Sequence, residues 1–450
     1  MGKKYEKIVE DIEKLVAGKQ LKQGQKLPAI RVMAEQYKCN KSTVIRAYKE
    51  LEMNYKIYGV PKSGYYLVEG EKFDEEVSER FDFREVLLDP KLLPYKEFNH
   101  CINRAVALYK NSLFSYGRTE GLESLRKVLV THLQSYQVFT SIEKICITSG
   151  AQQALSILVQ MPFPNGRKTI LVEEPTYSLI HELIEMNGNQ IMGINRTLEG
   201  IDLHELECLF KNEAIKFFYT IPRLHNPLGT SYSEKEKKEI LRLAQKYDVY
   251  IVEDDYLADI DTHKKVLPMH YYDVWERIIY IKSFSKAFMP GIRIGTVVLQ
   301  EAVKNDFLKY KKHYDLSTSA LSQGALEIFI NSGMYKKHNE KTQRIYQQKM
   351  NSLREYLSSF NKSQIEVFIP HTGLFIWMKL PETLNLELFI KRLEEKNVYI
   401  ASGEMFFITK QSGERVFRLA IAHLSKEQIK AGMKILFKEL IESLDSARKY

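Results

Sequence analysis

A lysine, two hydroxyls and an arginine crowd into the stretch Tyr280 to Gly295, YIKSFSKAFMPGIRIG, which is broken by glycine turns. Lys286 follows a short β-branched and aromatic run, the pattern of a buried strand that ends at a site. Ser283 and Ser285 precede it and Arg293 follows. This set suits an aldehyde that bears a phosphate. The amine forms a Schiff base with the aldehyde, and the hydroxyls and guanidinium hold the phosphate. The cofactor of that description is pyridoxal 5′-phosphate, which also needs a carboxylate at its pyridine nitrogen. S-x-S-K occurs on solvated loops too, so the segment alone leaves the ordinary reading open.

Upstream residues supply the missing parts. Asp254, in IVEDDY, closes another strand-like run, where its carboxylate can pair with a protonated ring nitrogen. Tyr256 offers a phenol to the ring oxygen, and Asn226, beside the tight turn of Pro227 and Gly229, offers an amide to the same atom. TSGAQQAL reads as strand end, glycine turn and helix start; the free N–H groups there favour a phosphate, with Ala151 and Gln152 placed to donate. Tyr177 can stack on the ring. Arg418, in FRLAIA, has the shape for a bidentate grip on a substrate carboxylate. Each residue alone admits a structural reading: a strand-end carboxylate, a core aromatic, a surface ion-pair partner.

In this order, the segments SYGRTEGLESLR, ITSGAQQAL, EEPTYSL, NPLGT, EDDY, SFSKAFMPGIRIG and FRLAIA resemble those of the fold-type I pyridoxal-phosphate aminotransferases, from about Phe83 to the end. The resemblance implies Lys286 as the Schiff-base lysine, Asp254 as partner of the ring nitrogen and Tyr177 as the stacking ring. It makes Asn226 and Tyr256 the partners of the ring hydroxyl. Ala151, Gln152, Ser283 and Arg293 become phosphate ligands, and Arg418 the carboxylate clamp. It also implies that Tyr116 reaches across a dimer interface to the neighbour's phosphate. Lys282 is the rival lysine, although Lys286 has the better spacing to the PGIRIG turn, and Asp255 is the rival carboxylate.

The 450 residues, 44% hydrophobic and 27% charged, are ordinary globular material for two or three domains. Four dispersed cysteines form no CxxC pair, which indicates neither a disulfide framework nor a zinc site. The start lacks an apolar signal core and no apolar run approaches the roughly 18–20 residues that span a membrane. The expectation is a cytoplasmic protein. The net charge of +9 is uneven: residues 1–70 hold 14 Lys and Arg against 8 Asp and Glu. A basic amino-terminal module points to a nucleic-acid partner.

Within that module, Tyr5 to Val16 reads as an amphipathic helix with Ile8, Ile12, Leu15 and Val16 on one stripe. Ala29 to Tyr37 reads as a second helix. Ser42 to Glu52 reads as a third, with hydroxyls at its start suited to an N-cap and Val44, Ala47, Tyr48 and Leu51 as its buried face. Two runs flanking Pro61 to Gly64 read as a hairpin. The segment resembles the winged-helix DNA-binding domain of the GntR family, which implies Arg31, Lys41, Thr43, Arg46 and Lys62 as DNA contacts, with Lys26 and Ser42 as weaker candidates. Asn54 stands near where the family has a glycine at the helix-to-wing turn, a position asparagine tolerates.

A winged helix ahead of an aminotransferase-like body is the arrangement of the MocR subfamily of GntR regulators. It implies an α/β chain: a winged helix-turn-helix over 1–70, a linker over 71–83, and a pyridoxal-phosphate-binding body over 84–450. The body is expected to have a mixed, mainly parallel sheet flanked by helices, with a smaller α/β subdomain from about 84–120 and 336–450. The implied function is a homodimeric transcriptional regulator that binds a double-stranded operator and senses pyridoxal phosphate, or an amine or amino acid, through a lysine-bound aldimine. The alternative is a working amino-acid aminotransferase with an accessory DNA-binding head, since every residue transamination needs has a candidate here.

Overall fold

The computed structural model describes residues 4–17, 24–53, 56–60, 63–67, 80–262, 266–286, 288–358, 365–413 and 415–447. The chain divides into two compact units, Met1–Ser78 and Glu79–Tyr450.

The first unit has helices Lys4–Ala17, Ile30–Gln36 and Lys41–Met53, then an antiparallel hairpin of Ile57–Val60 with Gly64–Leu67. Its core is the anticipated face of the third helix, Val44, Ala47, Tyr48 and Leu51, joined by Ile8, Val9 and Ile12. Tyr48 is fully buried because its hydroxyl finds the carbonyl of Pro28 at 2.7 Å. Two expectations shift. Leu15 is 39% exposed: the buried stripe is completed by Val9, one residue from Ile8. The third helix begins at Lys41, so Ser42 and Thr43 fall within its first turn instead of capping it, and the Thr43 N–H bonds the Asn40 carbonyl at 2.9 Å. Lys38, with φ 46°, provides the left-handed turn between the second and third helices. Val16's side chain, Asn54, Lys62 and the linker residues 71–79 lie outside the described residues.

The second unit is built on a seven-stranded sheet in the order Ile145–Thr148, Gly295–Val298, Ile278–Ser283, Tyr250–Asp254, Ile215–Thr220, Thr169–Glu174, Ile191–Asn195. Every pairing is parallel except those of Gly295–Val298, which runs antiparallel to both neighbours. The central strands are buried along their whole length, as their unbroken apolar runs require once helices cover both faces. Period-two alternation sends Ile170, Val172 and Val252 into one core and Leu171 and Ile251 into the other. Helix Glu234–Lys246 begins with a reciprocal capping box between Ser233 and Glu236.

A smaller antiparallel sheet, in the order Glu366–Phe368, Phe375–Lys379, Val416–Ala420, Ala401–Ser402, forms a third core with helices Leu386–Glu394 and Lys426–Ala447. Phe81 and Phe83 enter this core from the start of the unit, where Phe81–Asp82 pairs with Val398–Tyr399. Helix Tyr95–Tyr109, expected with the smaller subdomain, instead buries Phe98, Cys101 and Ala105 under the large sheet, because its apolar stripe matches helix Ala320–Asn331.

Leu51 is fully buried in the first unit, whose core shares no residue with those of the second unit. Leu51→Ala should cost that unit about 2–5 kcal/mol. Calorimetry of the full chain should then show a melting transition of the small unit shifted down, with that of the large unit unchanged.

Candidate functional site

The carboxyl ends of three strands that run the same way meet the start of the antiparallel one. Thr148 ends the first, Ser283 the second and Asp254 the third, while Gly295 lies between Thr148 and Ser283 in register with both. Open α/β sheets bind ligands outside such strand ends. Here the ends surround a cavity of about 570 Å³, and Ala151, Gln152, Tyr177, Asn226, Asp254, Tyr256, Ser283, Ser285, Lys286, Arg293 and Arg418 all line it. Tyr116 does not; it is 84% exposed.

One end of the cavity is a cup of donors. Helix Ala151–Gln160 starts on Gly150, whose φ of 82° favours glycine. A Cβ there would come within 2.9 Å of the Arg293 guanidinium, so the missing side chain lets the arginine lie against the helix start, where it also bonds the Ser149 carbonyl at 3.2 Å. Ser283 and Ser285 adjoin, linked by a bond from the Ser285 N–H to the Ser283 hydroxyl at 3.1 Å. A guanidinium, two hydroxyls and the N–H groups of a helix start form an anion site of the kind a phosphate ester needs.

Asp254, also on the cavity wall, is buried and accepts one bond, from the Tyr219 hydroxyl at 2.9 Å. Its second oxygen, Oδ1, is buried with no partner. Burial pushes its pKa up to about 7, and the neighbouring Asp255 charge adds to the rise against the Tyr219 bond. An unsatisfied buried carboxylate oxygen is costly, and a protonated ring nitrogen would satisfy it. Asp255 points elsewhere: it holds the Arg223 guanidinium at both oxygens and accepts the Tyr280 hydroxyl at 2.6 Å. The two lysines separate in the same way. Lys282 is fully buried in an ion pair with Asp259, whereas Lys286 faces the cavity, where burial and the Arg418 and Arg293 cations lower its pKa. The described residues therefore fit pyridoxal phosphate at its phosphate, ring nitrogen and aldehyde.

Arg418 lies on strand Val416–Ala420, opposite Trp377, with its guanidinium carbon 4.6 Å and 5.0 Å from the ring centroids of Phe375 and Phe406. It donates to Asn226 Oδ1 at 2.9 Å and to the Arg84 carbonyl at 2.7 Å, and its Nε is buried without a partner. Burial lowers its pKa to about 10. Tyr256 donates to the Leu224 carbonyl at 3.1 Å, and Tyr177, its pKa raised to about 12 by burial, sits over the cavity near Gln152. Asn226 belongs to a loop tied down by Glu173. That wholly buried carboxylate accepts from Thr220, the Ile221 N–H, His225, Tyr232 and Arg196. The Leu228 N–H meets His225 Nδ1 at 3.4 Å, which leaves Nε2 as the proton-bearing atom that donates to Glu173. Burial alone would raise the Glu173 pKa; these partners hold it at about 2.

The sequence reading missed Val86, Phe375, Met405, Phe406 and Tyr219. Their only signal lay in apolar runs indistinguishable from core, because strand pairing and loop packing bring the first four to the cavity and Tyr219 to Asp254 behind it. In the first unit, Arg31, Lys41 and Arg46 are exposed and Thr43 is half-buried; the Arg46 guanidinium lies 4.1 Å from the Tyr5 ring centroid. No helix of the described residues is long and apolar enough to cross a membrane.

The family described as "Aminotransferase class I and II" matches residues 91–436, and "Bacterial regulatory proteins, gntR family" matches residues 4–67. The chain is 42% identical to the uncharacterized HTH-type transcriptional regulator YcxD of Bacillus subtilis (strain 168), over 97% of this chain and 100% of that one. It is 26% identical to the HTH-type transcriptional regulator NorG of Staphylococcus aureus (strain N315), over 90% and 97%. Among solved structures it resembles LysN, an alpha-aminoadipate aminotransferase from Thermus thermophilus complexed with N-(5′-phosphopyridoxyl)-L-leucine. That match has a TM-score of 0.74 and 26% identity, over 82% of this chain and 94% of that one.

Two measurements follow from the carboxylates. Asp255→Asn breaks a buried ion pair and should destabilise the fold by about 3–5 kcal/mol, while Asp254→Asn should leave the fold intact and weaken cofactor retention. In cofactor-free protein, folded Asp254 keeps its proton to about pH 7, whereas the unfolded chain releases it near pH 4. Its contribution to stability therefore falls as pH rises across that window. The melting temperature of Asp254→Asn, relative to the parent, should climb between about pH 4 and pH 7; a pH-independent difference would rule out the raised pKa.

Proposed function

We propose, for a chain that belongs to the aminotransferase class I and II family and, through its gntR-family head, to the MocR-type regulators, that it is a pyridoxal-phosphate-dependent DNA-binding transcriptional regulator. The observation that carries this reading is the union, on one chain, of a basic exposed helix face with a cavity that pairs Lys286 with the unsatisfied oxygen of Asp254. In the fold-type I pattern, Lys286 is the covalent anchor. Its lowered pKa raises the share of neutral amine at physiological pH, the form that attacks a carbonyl. Asp254 holds a proton on the ring nitrogen, and Arg293, Ser283, Ser285 and the start of helix Ala151–Gln160 hold the phosphate. Pyridoxal phosphate, when bound, supplies an aldehyde that takes up a primary amine and a ring that withdraws electrons.

Arg418 receives the effector's carboxylate. Its Nη2 is now held by the Arg84 carbonyl, and Lys286 Nζ donates to the Val86 carbonyl at 3.1 Å. Both carbonyls lie just past Phe81–Asp82, on the part of the chain that leads from the head into the body. An effector that takes Arg418 competes with the Arg84 carbonyl and so favours one state of this segment over another. A regulator needs no more than such differential binding. In the head, Arg31, Lys41, Thr43 and Arg46 are the DNA contacts on and before the third helix, which enters the major groove. Two heads come from a homodimer, in which Tyr116 serves the neighbouring cavity.

Purified protein should be yellow, and borohydride reduction followed by peptide mapping should place the cofactor on Lys286; a label on Lys282 would overturn the assignment. Arg46→Ala should weaken operator binding by about 1–3 kcal/mol without loss of cofactor, measured by titration of the protein's own upstream DNA at several salt concentrations. The regulator reading fails if no specific fragment is retained in a genomic pull-down while the protein turns over a common amino acid.

A further inference from the structure

We infer that the small molecule this cavity reads is an α-amino acid with an uncharged, apolar side chain; the inference rests on the cofactor reading above. Its basis is the cavity's charge inventory. Among the described residues that line it, four are charged: Asp254, Lys286, Arg293 and Arg418. The cofactor's ring nitrogen, aldehyde and phosphate occupy the first three, and the ligand's own carboxylate occupies the fourth. A second carboxylate or an ammonium at the far end of the ligand would find no further charged side chain among these described residues of one protomer, and an unpaired charge in such a site is costly.

The rest of the wall offers apolar cover. Leu179 and Met405 border the cavity while 42% and 49% exposed, so apolar surface on this wall is open to a ligand. They sit on two segments already fixed to each other, since the Thr176 N–H bonds the Phe406 carbonyl at 2.8 Å and the Ile408 N–H bonds Glu174 at 2.8 Å. Phe406 also flanks Arg418, so the apolar wall begins at the carboxylate clamp. A ligand gripped by Arg418 thus meets hydrocarbon and ring surface next, where an apolar side chain gains burial and a charged one loses water without compensation.

The test uses the full-length, cofactor-loaded protein, titrated separately with L-leucine, L-methionine, L-phenylalanine, L-glutamate, L-aspartate and L-lysine. Two readouts are followed: the cofactor's visible absorption and the melting temperature. The three apolar amino acids should half-saturate at concentrations at least about tenfold below the three charged ones, the factor of one charge-assisted bond. Met405→Arg, at an exposed position, should lower the half-saturating L-glutamate concentration by about tenfold relative to L-leucine. The inference is overturned if a charged amino acid saturates as readily as L-leucine, if no amino acid moves either readout, or if Met405→Arg leaves the order unchanged. Protein that takes up no cofactor or binds no specific DNA instead overturns the reading beneath it; a loaded, DNA-binding protein that prefers charged amino acids overturns this inference alone.

Discussion

Burying a carboxylate costs several kcal/mol unless it is paired, and three of those that the second unit buries near strand ends, Glu173, Asp255 and Asp254, are settled differently. Glu173 gathers five donors and has its pKa held at about 2, which ties the loop bearing Asn226 to the sheet. Asp255 is spent on Arg223 and Tyr280, a structural pair. Asp254 alone is left with a buried oxygen that no described group satisfies. The first two pair the walls internally, and the third keeps one bond, from Tyr219, and one open oxygen. The cavity's chemistry follows from this asymmetry.

The same fixed sheet explains how residues distant in sequence converge. Parallel pairing of Ile215–Thr220, Tyr250–Asp254 and Ile278–Ser283 brings their carboxyl ends to one side, and the antiparallel Gly295–Val298 returns Arg293 to that side. Arg418 arrives from the smaller sheet, between two aromatic rings. The guanidinium meets both a side-chain amide from the large-sheet loop and a main-chain carbonyl near the start of the unit, so it joins three parts of the body.

Much of this was legible in the residues. Strands and helices announced themselves through apolar runs and periodicity, and Gly150 through its place between a strand and a helix. The three short head helices followed from an amphipathic pattern whose buried face held at Val44, Ala47, Tyr48 and Leu51. Leu15 did not follow, because periodicity states which side of a helix is apolar and not how far the core beneath it extends. Helix Tyr95–Tyr109 went to the large sheet for a related reason: its stripe does not name its partner.

The sequence by itself determined the kinds of group available and their order: a lysine after a strand, carboxylates at a strand end, a glycine before a helix, a basic head before an α/β body. Only the tertiary structure decided between equivalent groups. Asp254 and Asp255 are adjacent and chemically identical, yet Asp254 ends its strand and Asp255 follows it, and only Asp255 meets Arg223. Lys282 and Lys286 divide likewise, one claimed by Asp259 and the other left facing the cavity. Which group is free depends on which others have been paired, and that pairing is a property of three-dimensional packing that no local spacing encodes.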